Sequence, residues 1–247
     1  MDDSPNPSYA DPLATLYHGD GHWLMRSLPD SSVDLVLTDP PYGVPHRRGA
    51  LYRLAPMREN DEPGAGDRHF DMLVRESARI LKPGGALCCC APAITATTSI
   101  TLGWITRMSA ALSYRTTFVW DKKLPSMGHN CYRSSYELVL IATKGRGKCA
   151  FHGGAISNLA CIPRLNWNVR RHPTEKPISL MMLFVKKHTQ DGDVVVDPFA
   201  GAGTTLVAAT KLGRRAVGAE LNETYCRIAA ERLSQQHLGL EANSCAS

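Results

Sequence analysis

The chain alternates between short, continuous apolar runs and longer segments whose apolar residues recur every three or four positions. The first kind reads as buried strands, the second as helices with one inward face. Leu13 to Tyr17 predicts a short strand ending at His18-Gly19-Asp20, and Trp23 to Leu28 a short helix closed by Pro29-Asp30. Val33 to Thr38 predicts a buried strand. Phe70 to Leu81 predicts a helix with Met72, Leu73, Ser77, Ala78, Ile80 and Leu81 inward, stopped by Lys82-Pro83-Gly84-Gly85. Ala86 to Ala91 predicts the next strand and Thr97 to Leu112 a helix. Arg115 to Trp120 and Ser135 to Thr143 predict two more strands.

The last third is the most regular. Pro177 is placed at the first position of a helix in which Ile178, Met181, Met182 and Val185 recur at helical spacing. Asp193 to Asp197 predicts a strand, and Thr204 to Leu212 a helix stopped by Gly213. Arg215 to Ala219 predicts a strand ending at Glu220, and Glu223 to Gln236 a helix capped by Asn222. Strands alternating with helices predict the α/β class: a doubly wound, mostly parallel sheet in a single domain. Residues 1–12 and 239–247 read as flexible tails and 13–238 as the domain. Two irregular insertions interrupt it at 43–68 and 144–172.

Composition adds little to this and charge adds more. A hydrophobic fraction of 43% and a charged fraction of 21% are ordinary for a globular domain. No apolar run is long enough to span a membrane, and the amino terminus lacks the basic and apolar regions of a secretory signal. The eight cysteines include no Cys-x-x-Cys pair. Cys88, Cys89 and Cys90 are consecutive in a strand and point to alternate faces, so they are expected as buried reduced thiols of a cytoplasmic protein, with no metal site. The net charge is +5, yet Lys144 to Lys176 alone carries seven basic residues against Glu175. A second basic run holds Arg47, Arg48, Arg53 and Arg58. Loop charge of this density is either plain solvated surface or a contact for a polyanion such as nucleic acid.

Two short motifs carry chemistry. In Thr38-Asp39-Pro40-Pro41-Tyr42 the double proline ends the preceding strand, because it cannot continue a ladder. The result is a rigid strand end with a carboxylate, a free backbone carbonyl and an aromatic ring. Those groups suit the exocyclic amine and the flat face of a nucleobase. In Asp197-Pro198-Phe199-Ala200-Gly201-Ala202-Gly203-Thr204-Thr205, a glycine turn joins a strand to a helix. Glu220 ends the next strand, where an acid in such folds accepts hydrogen bonds from ribose hydroxyls. Leu206 stands where a dinucleotide fingerprint has its third glycine, and the turn has no P-loop lysine. S-adenosylmethionine, which has no pyrophosphate, fits better than NAD or ATP. A purely structural turn is the bland alternative.

Five segments together resemble the amino-group DNA methyltransferases, S-adenosylmethionine-dependent enzymes acting on adenine N6 or cytosine N4. The order is that of their permuted β class, in which the catalytic strand end precedes the glycine loop. Asp39-Pro40-Pro41-Tyr42 matches the catalytic motif, and Phe199-Ala200-Gly201-Ala202-Gly203 the cofactor motif. Gly19-Asp20 matches the segment contacting the cofactor's adenine. Glu76 to Gly85 is similar to the helix and turn before the next strand. His172-Pro173-Thr174-Glu175-Lys176-Pro177 matches the segment that closes over the methionine end.

The resemblance implies a Rossmann-like methyltransferase fold and direct methyl transfer to adenine N6 in a base flipped out of double-stranded DNA. Asp39, Pro40, Pro41 and Tyr42 are the implied catalytic residues. Asp39 and the Pro40 carbonyl accept the amine hydrogens, and Tyr42 stacks on the base. Asp20, Thr38, Asp39, His172, Thr174, Lys176, Asp197, Pro198, Phe199, Gly201, Gly203, Thr204, Thr205, Glu220 and Leu221 are the implied cofactor residues. DNA contacts are expected from Arg47, Arg48, Arg53, Lys144, Arg146, Lys148, Arg164, Asn166, Trp167, Arg170 and Arg171. A bacterial or phage origin, a cognate restriction endonuclease and a homodimer are consistent with the family. Cytosine N4 or RNA adenine as substrate, or a silent nucleic-acid-binding module on the same fold, remain as alternatives. A nucleotide-dependent dehydrogenase would leave the double-proline motif without a purpose.

Overall fold

A computed structural model describes residues 6–43, 65–94, 100–123, 134–147, 149–166, 168, 170–172 and 174–244, with side chains to Gln236 in the last helix. The strands are β1 (Tyr9–Ala10), β2 (Ala14–His18), β3 (Val33–Thr38), β4 (Leu81–Ala91), β5 (Ser113–Asp121), β6 (Tyr136–Thr143), β7 (Leu159–Cys161), β8 (Val194–Asp197) and β9 (Arg215–Glu220). The helices are α1 (Gly21–Ser27), α2 (Ala65–Ile80), α3 (Ile100–Ala111), α4 (Ile178–His188), α5 (Thr204–Thr210) and α6 (Glu223–Ser244). They form one mixed sheet in the order β1-β2-β9-β8-β3-β4-β6-β5-β7. The run from β2 to β4 is parallel throughout. β6 then runs antiparallel to both β4 and β5.

Strand alternation feeds two cores, one on each face. Leu35, Leu37, Cys88 and Cys90 join Leu180, Phe184, Leu206 and Ala229 of α4, α5 and α6. Val36 and Cys89 face the other way, onto Leu24, Phe70, Leu73, Trp104 and Met108 of α1, α2 and α3. The three consecutive cysteines therefore divide between two faces as buried free thiols. Burial alone pushes the Cys88 thiol far above its usual range.

Several boundaries differ from expectation, each for a tertiary reason. β1 lies inside the stretch expected to be a loose tail; two residues held by pairing with β2 carry no period of their own. β7 lies inside an insertion expected to be irregular, and pairing with Val119 to Asp121 makes it a strand. α2 starts five residues before Phe70, and α6 continues past Gln236 to Ser244. Lys82 to Gly85 lies within β4: β3 pairs Val33 with Leu81 and then Leu35 with Ala86, so the segment bulges out of register. Gly84 has φ +83 there. Pro177 precedes the helix in extended conformation, φ −60 and ψ 135, where it was expected at the first helical position. Asn222 caps α6 as expected, its side chain accepting from the Tyr225 amide at 3.1 Å.

Where α1 begins, the backbone comes unusually close to the glycine turn. A Cβ on Gly21 would stand 2.1 Å from the Pro198 carbonyl oxygen, whereas one on Gly19 would meet nothing within 4 Å. Gly21→Ala should therefore lose ~1–3 kcal/mol in urea unfolding, and Gly19→Ala about 0.5 kcal/mol or less. Equal losses would show that the close approach is not a constraint.

Candidate active site and cofactor crevice

β3 and β8 are neighbours and parallel, pairing Leu35 with Val195 and Val36 with Val196. Their carboxyl ends therefore open on the same edge, and both motifs follow directly from those ends. The two ends are latched: the Thr38 hydroxyl donates to Asp197 Oδ1 at 2.6 Å, fully buried. Asp197 also accepts from the Phe199 amide at 3.1 Å and from the Thr205 side chain. Burial nonetheless pushes its carboxyl up to about 6, the three donors only partly opposing this.

Both oxygens of Asp39 are engaged. Tyr42 donates its hydroxyl to Oδ1 at 2.7 Å, and the Lys176 ammonium donates to Oδ2 at 2.6 Å. The Tyr42 ring stands edge-on to Trp104, 5.8 Å between centroids, and Trp104 is stacked on Phe70. Lys176 also lies 3.2 Å from Glu137 Oε2, and Lys122 donates to Glu137 Oε1 at 3.1 Å. Burial works against the charge on Lys176, but Asp39 and Glu137 outweigh it and hold the ammonium protonated. For Glu137, burial is outweighed by Lys176 and Lys122, so its carboxyl stays below the usual range.

The cofactor corner is built from backbone. Gly201 and Gly203 adopt φ +53 and +77, conformations that side chains resist. Glu220 ends β9 and accepts from the Gly201 amide at 2.9 Å and the Asn222 amide at 2.8 Å. Asp20 caps α1 through the His22 amide. Leu221 is 55% exposed beside Glu220. A carboxylate fixed at a strand end, an exposed apolar side chain and an open glycine turn fit an adenosine bearing a short charged chain. His172 packs on Tyr225, 4.2 Å between rings, and accepts from the Thr174 amide at 3.3 Å. Glu175 is buried and bridges the Arg171 amide to the Arg232 guanidinium, which also donates to the Ala202 carbonyl at 2.5 Å.

The expected DNA contacts separate into two groups. Because β6 runs antiparallel to β4, its end lies beside the start of β4. Lys144 and Arg146 therefore sit at the sheet edge opposite Asp39, and Lys144 donates to the Arg79 carbonyl at 2.9 Å. The structure does not bring them to the crevice. Arg164, Asn166, Arg170 and Arg171 follow β7, whose end lies beside Asp121 on the Asp39 edge. Arg170 is turned onto the Leu165 carbonyl at 2.9 Å, and Asn166 accepts from the Asn168 amide. Arg47, Arg48, Arg53, Lys148 and Trp167 lie outside the described residues.

Comparison with known proteins agrees with this arrangement. A family model described as DNA methylase, of the N6/N4 group, matches residues 156–231. YubD of Escherichia coli K12, a methylase by name, is 31% identical over 237 residues, covering 90% of this chain and 91% of its own. The chain belongs to the N6/N4 amino-group DNA methylases. The DNA adenine methyltransferase YhdJ of the same strain is 25% identical, covering 89% of this chain and 82% of its own. Two solved structures share the fold. A PvuII cytosine-N4-specific DNA methyltransferase superposes with TM-score 0.76 at 20% identity, covering 93% and 89% of the two chains. A Thermus thermophilus protein described as a DNA modification methylase, complexed with S-adenosyl-L-methionine, superposes at 0.66 with 25% identity, covering 89% and 93%.

Three features of this methylase escaped the sequence. Glu137 is a lone acid opening an apolar strand, which was a usable signal. Arg232 reads as one more surface position of a helix. His22 and His69 meet through Nε2 and Nδ1 at 2.7 Å and crowd Phe199, although 47 residues apart. No sequence pattern pairs them. Among the described residues no three His, Cys, Asp or Glu side chains are grouped as for a metal, and no helix is long and apolar enough to cross a membrane.

The Asp197 latch has a pH signature. Its carboxyl sits at about 6 when folded against 3.8 as an isolated group, so the protonated form is favoured by folding. The stability this contributes is present below about pH 4 and is lost as pH rises through 6. Asp197→Asn should remove that slope. Between pH 4 and 6.5 the variant should gain roughly 2 kcal/mol on the wild type in urea unfolding. Parallel stability curves would show that Asp197 folds ionised.

Proposed function

We propose that this methylase transfers a methyl group from S-adenosylmethionine to adenine N6 in DNA, on a base turned out of the double helix. The observation that carries this reading is that Asp39 and the glycine turn follow neighbouring parallel strand ends, latched by Thr38 and Asp197. Bound there, S-adenosylmethionine supplies a methyl carbon on a sulfonium, and displacement by the base amine leaves a neutral thioether and releases one amine proton to solvent.

The protein's part is positioning and electrostatics. Asp39 is held on both oxygens, so its plane is fixed before substrate arrives. Its remaining acceptor capacity takes one amine hydrogen, and the carbonyl of the buried Pro40 takes the other. Two acceptors on one side of the ring localise the amine lone pair, which conjugation otherwise withdraws. Tyr42 presents an aromatic face to the base, a contact worth ~1–3 kcal/mol in comparable stacks. Glu220 and Leu221 receive the adenosine end. His172 and Thr174 border the glycine turn, toward the methionine end, with a Gly201 Cβ position 3.9 Å from the His172 ring.

An aspartate before the double proline favours adenine over cytosine, and the name of YhdJ accords with that choice. The resemblance to a cytosine-N4 enzyme concerns the fold. Mass analysis of nucleosides from DNA incubated with methyl-labelled donor separates the two. N6-methyl-2′-deoxyadenosine is expected, and N4-methyl-2′-deoxycytidine alone would overturn the base assignment. Asp39→Ala should lose at least 100-fold in turnover while still binding donor. Near-normal methylation by that variant would remove Asp39 from the chemistry.

Edge placement gives a separate test of the DNA face. Replacing Arg164 and Arg171 by Ala should flatten the slope of log affinity against log salt by about 2, one counterion set per lost phosphate contact. Replacing Lys144 and Arg146 should leave it unchanged. The reverse result would put DNA on the opposite edge of the sheet.

A further inference from the structure

Glu137 is a carboxylate at the start of an otherwise apolar strand, beside the reactive corner. Its Oε1 is satisfied by Lys122, whereas its buried Oε2 has no hydrogen bond of regular geometry among the described residues. The near neighbour of that oxygen is Lys176, at 3.2 Å. Lys176 is in turn committed to Asp39 at 2.6 Å, and its side chain is only 7% exposed. Four side chains thus form a line of alternating charge: Lys122, Glu137, Lys176, Asp39. Lys122 directly follows β5, Glu137 opens β6, Lys176 shortly precedes α4 and Asp39 directly follows β3. Tyr42 and Cys90 border the line, and burial pushes both far above their usual ranges, so neither adds charge.

A lysine bonded to the reactive carboxylate creates a conflict. It orients Asp39, but an unshared ammonium would also cancel the negative charge that should face a cationic methyl donor and an amine gaining positive charge. A second carboxylate on the same ammonium resolves this. We propose that Glu137 is a positioning residue that acts through Lys176: it divides the lysine's charge between two carboxylates, so that Asp39 is held in place without being neutralised. The proposal rests on the reading of Asp39 as the carboxylate that meets the substrate amine.

An electrostatic role has a readout that a structural role lacks. S-adenosylmethionine is a sulfonium cation and S-adenosylhomocysteine is its neutral thioether, of nearly the same shape. Glu137→Gln removes one negative charge and should weaken the cation relative to the thioether by roughly three- to tenfold, the effect of one charge several ångströms away in a partly screened site. Turnover should fall ten- to 100-fold. Lys122→Met removes a positive charge from the far end of the line and should shift the same affinity ratio the other way.

Calorimetric titration of the full chain with each ligand gives the ratio, and thermal melting checks folding. Opposite shifts in the two variants support the proposal. An unchanged ratio in folded Glu137→Gln, or shifts of the same sign in both variants, would overturn it. If Glu137→Gln does not fold, Lys122→Met decides alone: a ratio shifted towards the cation supports the proposal, and an unchanged ratio overturns it. The ratio is independent of the base methylated. A product of N4-methyl-2′-deoxycytidine would therefore sink the adenine assignment and leave this inference standing.

Discussion

The parallel pairing of β3 with β8 is the constraint from which the site follows. Parallel neighbours end on the same edge, so the segments leaving them must open into the same space. Here those segments are a double-proline corner and a glycine turn, and neither has slack to wander. Thr38 and Asp197 then tie the two ends together at 2.6 Å inside the core. A buried carboxylate is costly unless it is bonded, and Asp197 is bonded by two hydroxyls and an amide. The latch therefore belongs to both corners at once. Moving either corner would leave a buried acid short of a partner.

Residues 174–177 link the two corners. The adjacent residues Glu175 and Lys176 carry opposite charges, are both buried, and reach in different directions. Glu175 engages Arg232, which donates to the glycine-turn carbonyl of Ala202. Lys176 engages Asp39 on the substrate side. One short stretch thereby sets the distance between the place for the donor and the place for the amine. Breaking either buried pair would strand a charge, at a cost of about 3–5 kcal/mol. That cost is what keeps the segment in register with the two strands.

How much of this was legible in the sequence follows from where the information lies. Val33 to Thr38 is a local apolar run closed by prolines, and the structure begins and ends that strand at the same residues. The 194–220 unit was legible for the same reason. β1 and β7 were not, because two- and three-residue strands take their conformation from a partner far away in sequence. Lys144 and Arg146 show the limit for function. Charge density marked them as nucleic-acid contacts, yet strand direction decides which edge they occupy, and the antiparallel β6 sends them away from Asp39. Lys176 was recognised from its motif as a cofactor residue. Its ammonium lies on Asp39, a partner 137 positions earlier that only the fold could supply.

Drawing two cations and two anions partly out of water in a line is a poor way to gain stability, since well-packed apolar residues would do as well or better. The line is better understood through what it denies Asp39. Bonds from Tyr42 to one oxygen and from Lys176 to the other stop the carboxylate from rotating, and a fixed plane sends its remaining lone pairs in fixed directions. A freely rotating carboxylate would have to be ordered when substrate binds, and that lost entropy would raise the barrier. The fold instead meets the cost in advance, with a tyrosine anchored on Trp104 and a lysine anchored on Glu137. Both anchors rest on regular elements, α3 and β6, and not on the loops that carry the reactive groups. The precision of the corner is thus inherited from the core beneath it.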